Sequence, residues 1–157
     1  MPVQPGTHRA ISRRPEADVD ESESRSILNA VTGPVARVMF ALPFFVFGIN
    51  HFAMPGQLAG TVPEFLPGSV VWVYMTGIVH LATSIAIMAN RLVRAAGILL
   101  AAMLLTFVAT VHLPALLGGE GTGAAMTNML KDTALAGGAL LAAHFAQHRD
   151  QDDGETT

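Results

Sequence analysis

Three histidines and one aspartate lie within or at the ends of long apolar segments, where ionisable side chains are uncommon. His51 follows the run MFALPFFVFGIN, His80 lies inside VVWVYMTGIVHLATSIAIM, and His112 ends LLTFVATVH. Asp132 comes near the start of a fourth apolar segment. Histidine exchanges protons near neutral pH, and a carboxylate in an apolar environment can accept them. We therefore take His51, His112 and Asp132 as the candidates for a catalytic, proton-handling role.

Further polar side chains share helical faces with these residues. On the second apolar segment Thr76 and His80 are one turn apart, and on the fourth Asn128 and Asp132 are one turn apart with Lys131 between them. Lipid would reject such faces, so we expect them to meet inside a bundle and to form a polar site. The candidate cofactor-binding set is Asn50, His51, Thr76, His80, His112, Asn128, Lys131 and Asp132.

Each of these residues also has a structural interpretation. His80 could be hydrogen-bonded by the Thr and Ser residues around it, and His51 and His112 could lie at the membrane interface. Lys131, the only lysine, could extend to the interface and leave its stem in lipid. No two of the histidines in the apolar segments are three or four residues apart, so no metal site is predicted, although His51, His80, His112 and Asp132 could meet across helices as a weaker alternative.

The elements that must position these residues are four long apolar segments. Hydrophobic residues make up 51% of the 157 residues, and only seven charged side chains lie between residues 30 and 146. The segments cover about 32–52, 69–89, 95–116 and 127–146. Each is close to the ~20 residues that a helix needs to cross a bilayer. The sequence thus predicts an all-α fold, an integral membrane four-helix bundle in one domain, 30–146.

The remaining regions are two tails and a connection. Residues 1–29 and 147–157 are polar, without apolar periodicity, and we expect both tails to be disordered. The connection 53–68 holds three prolines and three glycines yet stays apolar. Those residues interrupt a helix, so we expect an outer loop that lies over the bundle and covers the polar site, or else an ordinary interfacial loop.

The distribution of arginine gives the orientation. Arg25 and Arg37 flank the start of the first segment, Arg91 and Arg94 lie in the link NRLVR, and Arg149 follows the fourth segment. The other two connections contain no Lys or Arg. Because basic residues favour the cytoplasmic side, both termini are predicted to be cytoplasmic, in a multi-pass protein of the cell membrane.

The order of several short motifs resembles that of the DoxX and DoxX-like family of small four-span membrane proteins. The motifs lie within about residues 35–146 and are FGINHF, VPEFLPG, YMTGIVHLATSIAIM, NRLVRAAGILLAAML, TVHLPALL and KDTALAGGALL. The resemblance implies a small subunit like the quinone-reacting one of an archaeal thiosulfate:quinone oxidoreductase, or a membrane anchor in an oxidative-stress complex. It supplies no catalytic residue set.

Three functions from different classes remain open at this point. The first is a quinone-interacting subunit of a membrane oxidoreductase, in which His51 or His112 bonds a quinone oxygen and Asp132 handles the proton. The second is a non-catalytic anchor or assembly factor, in which Gly97, Gly137 and Gly138 permit close helix approach, either within the bundle or to a partner. The third is a small proton-coupled transporter. The one cofactor expected is a quinone. Because the chain has no cysteine, a Cys-ligated metal is not expected. The expected partners are the lipid bilayer and another protein or a second copy, not nucleic acid.

Overall fold

The computed structural model describes residues 15–119 and 121–155, and within these ranges the chain is helical with no strand. The main helices are α1 (Pro15–Ala53), α3 (Ser69–Met88), α4 (Val93–Phe107) and α6 (Thr122–Glu155). Shorter pieces are α2 (Pro55–Leu58), a 3₁₀ turn (Ala59–Thr61) and α5 (Leu113–Leu117), the last joined to α4 by a π-helical segment (Val108–His112). The chain divides into two compact units, residues 1–35 and 36–157, and the candidate site lies in the second.

Three helices in the described part of the chain are long and apolar enough to cross a membrane. They are Arg25–Ala53, Ser69–Met88 and the continuous stretch Val93–Leu117. The all-helical class is therefore confirmed, together with three of the four expected spans as membrane-compatible helices. Helix α6 is not among them, because Lys131, Asp132 and His144 lower the hydropathy of its apolar part.

The helices extend further than the predicted tail boundaries. Residues 15–29 belong to α1 and residues 147–155 to α6, while 1–14 and 156–157 lie outside the described residues. The disorder of the tails stays a prediction. Pro15 suits the first turn of a helix, and the acidic residues that follow it favour the positive end of the helix dipole. Arg and Glu also have good intrinsic helix propensity. Local preference thus supports helix even where no apolar face exists.

Small residues bring α4 and α6 together as an antiparallel pair. A Cβ atom on Gly97 would lie 2.5 Å from the Ala139 carbonyl oxygen and 3.1 Å from the Ala143 Cβ, so the two backbones touch there. Ala139 and Leu100 are fully buried at this contact. Van der Waals packing of small residues is the main source of helix association in lipid, and it fixes α6 against α4.

Two other glycines bring α3 against α1. A Cβ on Gly48 would lie 2.7 Å from Leu81 Cγ, and one on Gly77 would lie 2.8 Å from the His51 Cβ. The absence of a side chain at Gly77 is therefore what lets His51 lie against α3. Phe44 of α1 is fully buried beside this contact.

Two of the connections lie at one end of the bundle, which we call the loop end. The first, residues 54–68, contains α2 and the 3₁₀ turn, and the second joins α5 to α6. At the opposite end, α3 and α4 are joined by a short link that turns through Asn90 and Leu92, both with positive φ. His51, His112 and Asp132 consequently all lie toward the loop end.

Candidate functional site

A largely buried hydrogen bond joins the third and fourth apolar segments. Nε2 of His112 lies 2.9 Å from Oδ2 of Asp132. The side chains are only 16% and 8% exposed, so little water competes with this bond. Hydrogen bonds to a charged group are stronger than neutral ones, and this one fixes the orientation of the imidazole ring.

The backbone around His112 is wound more widely than an α-helix. In the segment Val108–His112 the helix is π-helical, and the Leu113 N–H donates to the Val108 carbonyl five residues earlier. Pro114 accounts for this locally: it has no N–H for the Thr110 carbonyl, and its ring crowds that carbonyl in a regular helix. Single π turns of this kind are frequent at functional sites. The wider turn changes the direction in which His112 leaves the helix.

Lys131 contacts the other oxygen of the Asp132 carboxylate. Its Nζ lies 3.5 Å from Asp132 Oδ1, donates to Asn128 Oδ1 at 3.2 Å, and lies 5.6 Å from the centre of the Phe47 ring. The structure therefore shows Lys131 paired with Asp132 rather than isolated at the interface. One cation and one anion balance here, as a low-dielectric environment requires.

His51 and His80 form the facing side of the site. Their ring centres are 5.3 Å apart, and the His80 ring is nearly parallel to Phe44 at 6.0 Å. Nδ1 of His51 lies 2.7 Å from the Phe47 carbonyl oxygen. Nδ1 of His80 is buried and has no hydrogen bond of normal geometry, although the Thr76 backbone is close enough to interact with the ring.

These residues surround one cavity of about 280 Å³, which we call the polar chamber. Its polar lining comes from three main helices, the π segment and the 54–68 connection, and consists of His51, Thr61, His80, His112, Asn128, Lys131 and Asp132. Phe44, Phe47 and Phe107 supply aromatic surface to the same cavity. Six of the eight residues predicted from the sequence as cofactor-binding are thus brought together.

Two predicted residues and the hydroxyl groups take other positions. Asn50 is half-buried and does not line the polar chamber. Thr76 lines a second cavity beside the chamber, which is described in the next paragraph. The hydroxyls of Thr83 and Ser84 donate to carbonyls of their own helix, Thr83 to Val79 and Ser84 to Leu81. They do not satisfy the His80 ring, so the structural interpretation of His80 finds no support in these contacts.

A second, larger cavity of about 500 Å³ lies beside the polar chamber and is mostly apolar; we call it the apolar cavity. It is lined by the 54–68 connection, α3 and α4, with Phe65, Trp72, Met75 and Met103 among its walls. His51, Thr61 and Phe107 line both cavities. The sequence prediction missed this cavity, and the apolar, proline-interrupted connection was its one visible signal.

Among the described residues, no group of three or more His, Cys, Asp or Glu side chains is arranged to hold a metal ion. The weaker alternative of a metal held by His51, His80, His112 and Asp132 is therefore not supported. The chamber is instead suited to an organic molecule with a flat polar head. Its imidazole nitrogens and carboxylate can hydrogen-bond the head, and its aromatic rings can pack against it.

The fold and the site together define an all-helical protein with membrane-compatible helices and a polar chamber among them. The family described as a domain of unknown function (DUF8561) matches residues 40–132, more than half of the chain, and the chain belongs to this family. The matched segment includes every polar side chain of the chamber. Neither a comparison with curated proteins nor one with solved structures gave a match.

Proposed function

We propose that this protein binds a quinone-type molecule between its helices, as the quinone-interacting subunit of a membrane redox complex. The observation that carries the proposal is the buried His112–Asp132 pair, facing His51 and His80 across a chamber beside a larger apolar cavity. The motif order that resembles DoxX-like proteins supports the same class of function.

The size and lining of the two cavities suit such a ligand. The volume of about 500 Å³ lies within the range of small-molecule sites and that of about 280 Å³ just below it; in such sites apolar walls carry a few placed polar groups. A quinone has a flat ring with two oxygens and an apolar tail. The ring would lie in the polar chamber, which Phe47 and Phe107 line, and the tail in the apolar cavity, which Trp72 and Met75 line.

The residues of this chain would bind the head group and handle protons. A bound quinone couples the transfer of two electrons to that of two protons. His51 would hydrogen-bond a hydroxyl of the head group in its reduced form, and the His112–Asp132 pair would hold or release a proton within the chamber. Without cysteine the chain has no thiol chemistry of its own, so the electrons would pass to or from a redox centre on a partner protein.

The single tryptophan provides the test. We expect a short-tailed quinone, titrated into the purified protein in lipid nanodiscs, to quench Trp72 fluorescence saturably, because Trp72 lines the apolar cavity. His112→Ala should weaken binding about tenfold or more, since a hydrogen bond to a charged or buried group contributes about 1.5–3 kcal/mol. His144→Ala, on an exposed site, is the matched control. Quenching that never saturates, or that is equal in all three proteins, would contradict the proposal.

We further propose that α6 is a fourth membrane span and that both termini are cytoplasmic. Close packing of α6 on α4 and the mutual neutralisation of Lys131 and Asp132 support this, and the arginine distribution supports the orientation. The cysteine-free chain is convenient for single-cysteine labelling. In intact cells an impermeant maleimide should label Gly123→Cys and leave both Asn90→Cys and Gly154→Cys unlabelled. The reverse pattern would overturn the orientation, and labelling of both Gly123→Cys and Gly154→Cys would overturn the fourth span.

The anchor function has less support from the packing. Gly97 lies against Ala139, and Gly138 lies against Phe40, so both are already used within the bundle. Only Gly137 faces open space among these three. The small-residue surface left for a partner helix is therefore short, whereas the polar chamber remains unexplained by an anchoring role.

A further inference from the structure

We propose that the polar chamber selects the reduced, hydroxyl-bearing form of its ligand, a quinol, over the oxidised quinone; this inference rests on the proposed function above. It follows from the hydrogen-bonding directions of the side chains that face the chamber. A quinol O–H can donate, whereas a quinone oxygen can only accept.

The His51 ring presents an acceptor. Its Nδ1 lies 2.7 Å from the Phe47 carbonyl oxygen, and a carbonyl can only accept, so Nδ1 carries the hydrogen. In the neutral ring the other nitrogen, Nε2, then holds a lone pair. Nδ1 faces back to the helix backbone, so Nε2 points away from it. His51 lines the chamber, and no contact within the described residues occupies Nε2.

The His112 ring also presents an acceptor, in this case at Nδ1. Its Nε2 faces the Asp132 carboxylate, which accepts, so Nε2 carries the hydrogen and Nδ1 is left as an acceptor. Lys131 already balances the charge of Asp132. A neutral His112 therefore leaves the cluster without net charge, the less costly arrangement in a low-dielectric site.

The remaining polar groups do not reverse this pattern. The Thr61 hydroxyl donates to the Leu58 carbonyl and so offers its oxygen as an acceptor. Donors come from Lys131 and Asn128, but the Lys131 ammonium already contacts Asn128 and Asp132, and its side chain is 43% exposed. His80 also lines the chamber, and its buried ring carries one N–H in either neutral tautomer. The free acceptors of the chamber therefore come from His51, His112 and Thr61, and its uncommitted donors are few.

The consequence is a difference in affinity between two redox forms of one molecule. A quinol satisfies His51 with one O–H and can still accept from Asn128, whereas a quinone leaves the acceptors of His51 and His112 unpaired. An unpaired buried polar group costs about 1–3 kcal/mol, which corresponds to a preference of about fivefold to a hundredfold.

The experiment compares three matched ligands by calorimetry under anaerobic conditions, with the full chain in lipid nanodiscs. They are a decyl benzoquinone, its two-electron-reduced quinol, and the dimethyl ether of that quinol, which keeps the shape but cannot donate. We expect the quinol to bind at least about fivefold more tightly than either of the others. His51→Phe, which keeps a ring without the acceptor, should reduce this preference, whereas His144→Phe should not.

The outcomes separate the two proposals. If the quinone or the dimethyl ether binds as tightly as the quinol in the unmodified chain, selection of the reduced form is wrong while the quinone site stands. If none of the three binds, the proposed function fails and the inference fails with it. A preference that His51→Phe leaves intact would remove His51 from its assigned role.

Discussion

Replacing Asp132 with alanine is expected to lower the free energy of unfolding by about 1–3 kcal/mol, because the substitution leaves buried polar partners unpaired. His112 loses the acceptor 2.9 Å from its Nε2, and Lys131 loses its counter-ion. The same change should abolish saturable quinone binding, since the His112 ring is no longer held toward the polar chamber. Reversible unfolding in mixed micelles gives the first quantity, and Trp72 quenching gives the second.

Asp132→Asn is the matched comparison. The amide keeps an acceptor for His112 but cannot balance the Lys131 charge, so we expect a smaller loss of stability. Thr133→Ala changes a neighbouring exposed residue whose hydroxyl bonds only the Met129 carbonyl of its own helix. Such surface changes usually stay within about 0.5 kcal/mol. An Asp132→Ala protein as stable as Thr133→Ala would mean that the buried pair does not form.

Gly97→Ala and Gly137→Ala are expected to change stability in opposite directions. A Cβ on Gly97 would lie 2.5 Å from the Ala139 carbonyl oxygen, and backbone atoms of α6 cannot move away without separating the helices. Overpacking of this kind costs about 1–3 kcal/mol. Nothing lies within 4 Å of a Cβ on Gly137, and Ala has a better helix propensity than Gly by up to about 1 kcal/mol.

Thermal unfolding of both variants in the same detergent measures this difference. The chemical change is identical, and the two sites lie on packed helices, so the contrast isolates the α4–α6 contact. Equal effects at the two glycines would show that α4 and α6 do not pack in the arrangement described.

The helices follow from the sequence more directly than the site does. Length and apolar character are enough to give α3 and the α4–α5 stretch within a few residues, because a bilayer sets the length of a spanning helix. The end of the third segment and the start of the fourth must then lie near each other, which brings His112 toward Asp132. That part of the site was predictable from chain connectivity alone.

Finer features depend on rotation and register, which a single sequence does not fix. Consecutive residues on a helix point about 100° apart, so His51 lines the chamber while its neighbour Asn50 does not. The π segment shifts His112 further. Pro114 is its sequence signal, but a proline can also kink or end a helix, so the outcome was not determined.

The apolar cavity illustrates a different limit. Trp72 and Phe65 are separated by a glycine- and proline-containing turn, and only the folded connection places them on one wall. Gly68 comes directly before α3 and has a φ of +72°, a left-handed conformation that other residues rarely adopt. The path of such a connection depends on tertiary contacts rather than on apolar periodicity.

The central claim is that polar side chains from separate helices meet inside the bundle, and the His112–Asp132 contact is its most specific element. Solid-state NMR of the protein in lipid bilayers, with ¹⁵N-histidine and ¹³C-aspartate, measures that contact directly. We expect a dipolar coupling between His112 Nε2 and the Asp132 carboxyl carbon, of the strength a 2.9 Å hydrogen bond gives, that disappears in His112→Ala. A well-folded sample without this coupling would show that the polar side chains do not meet as described.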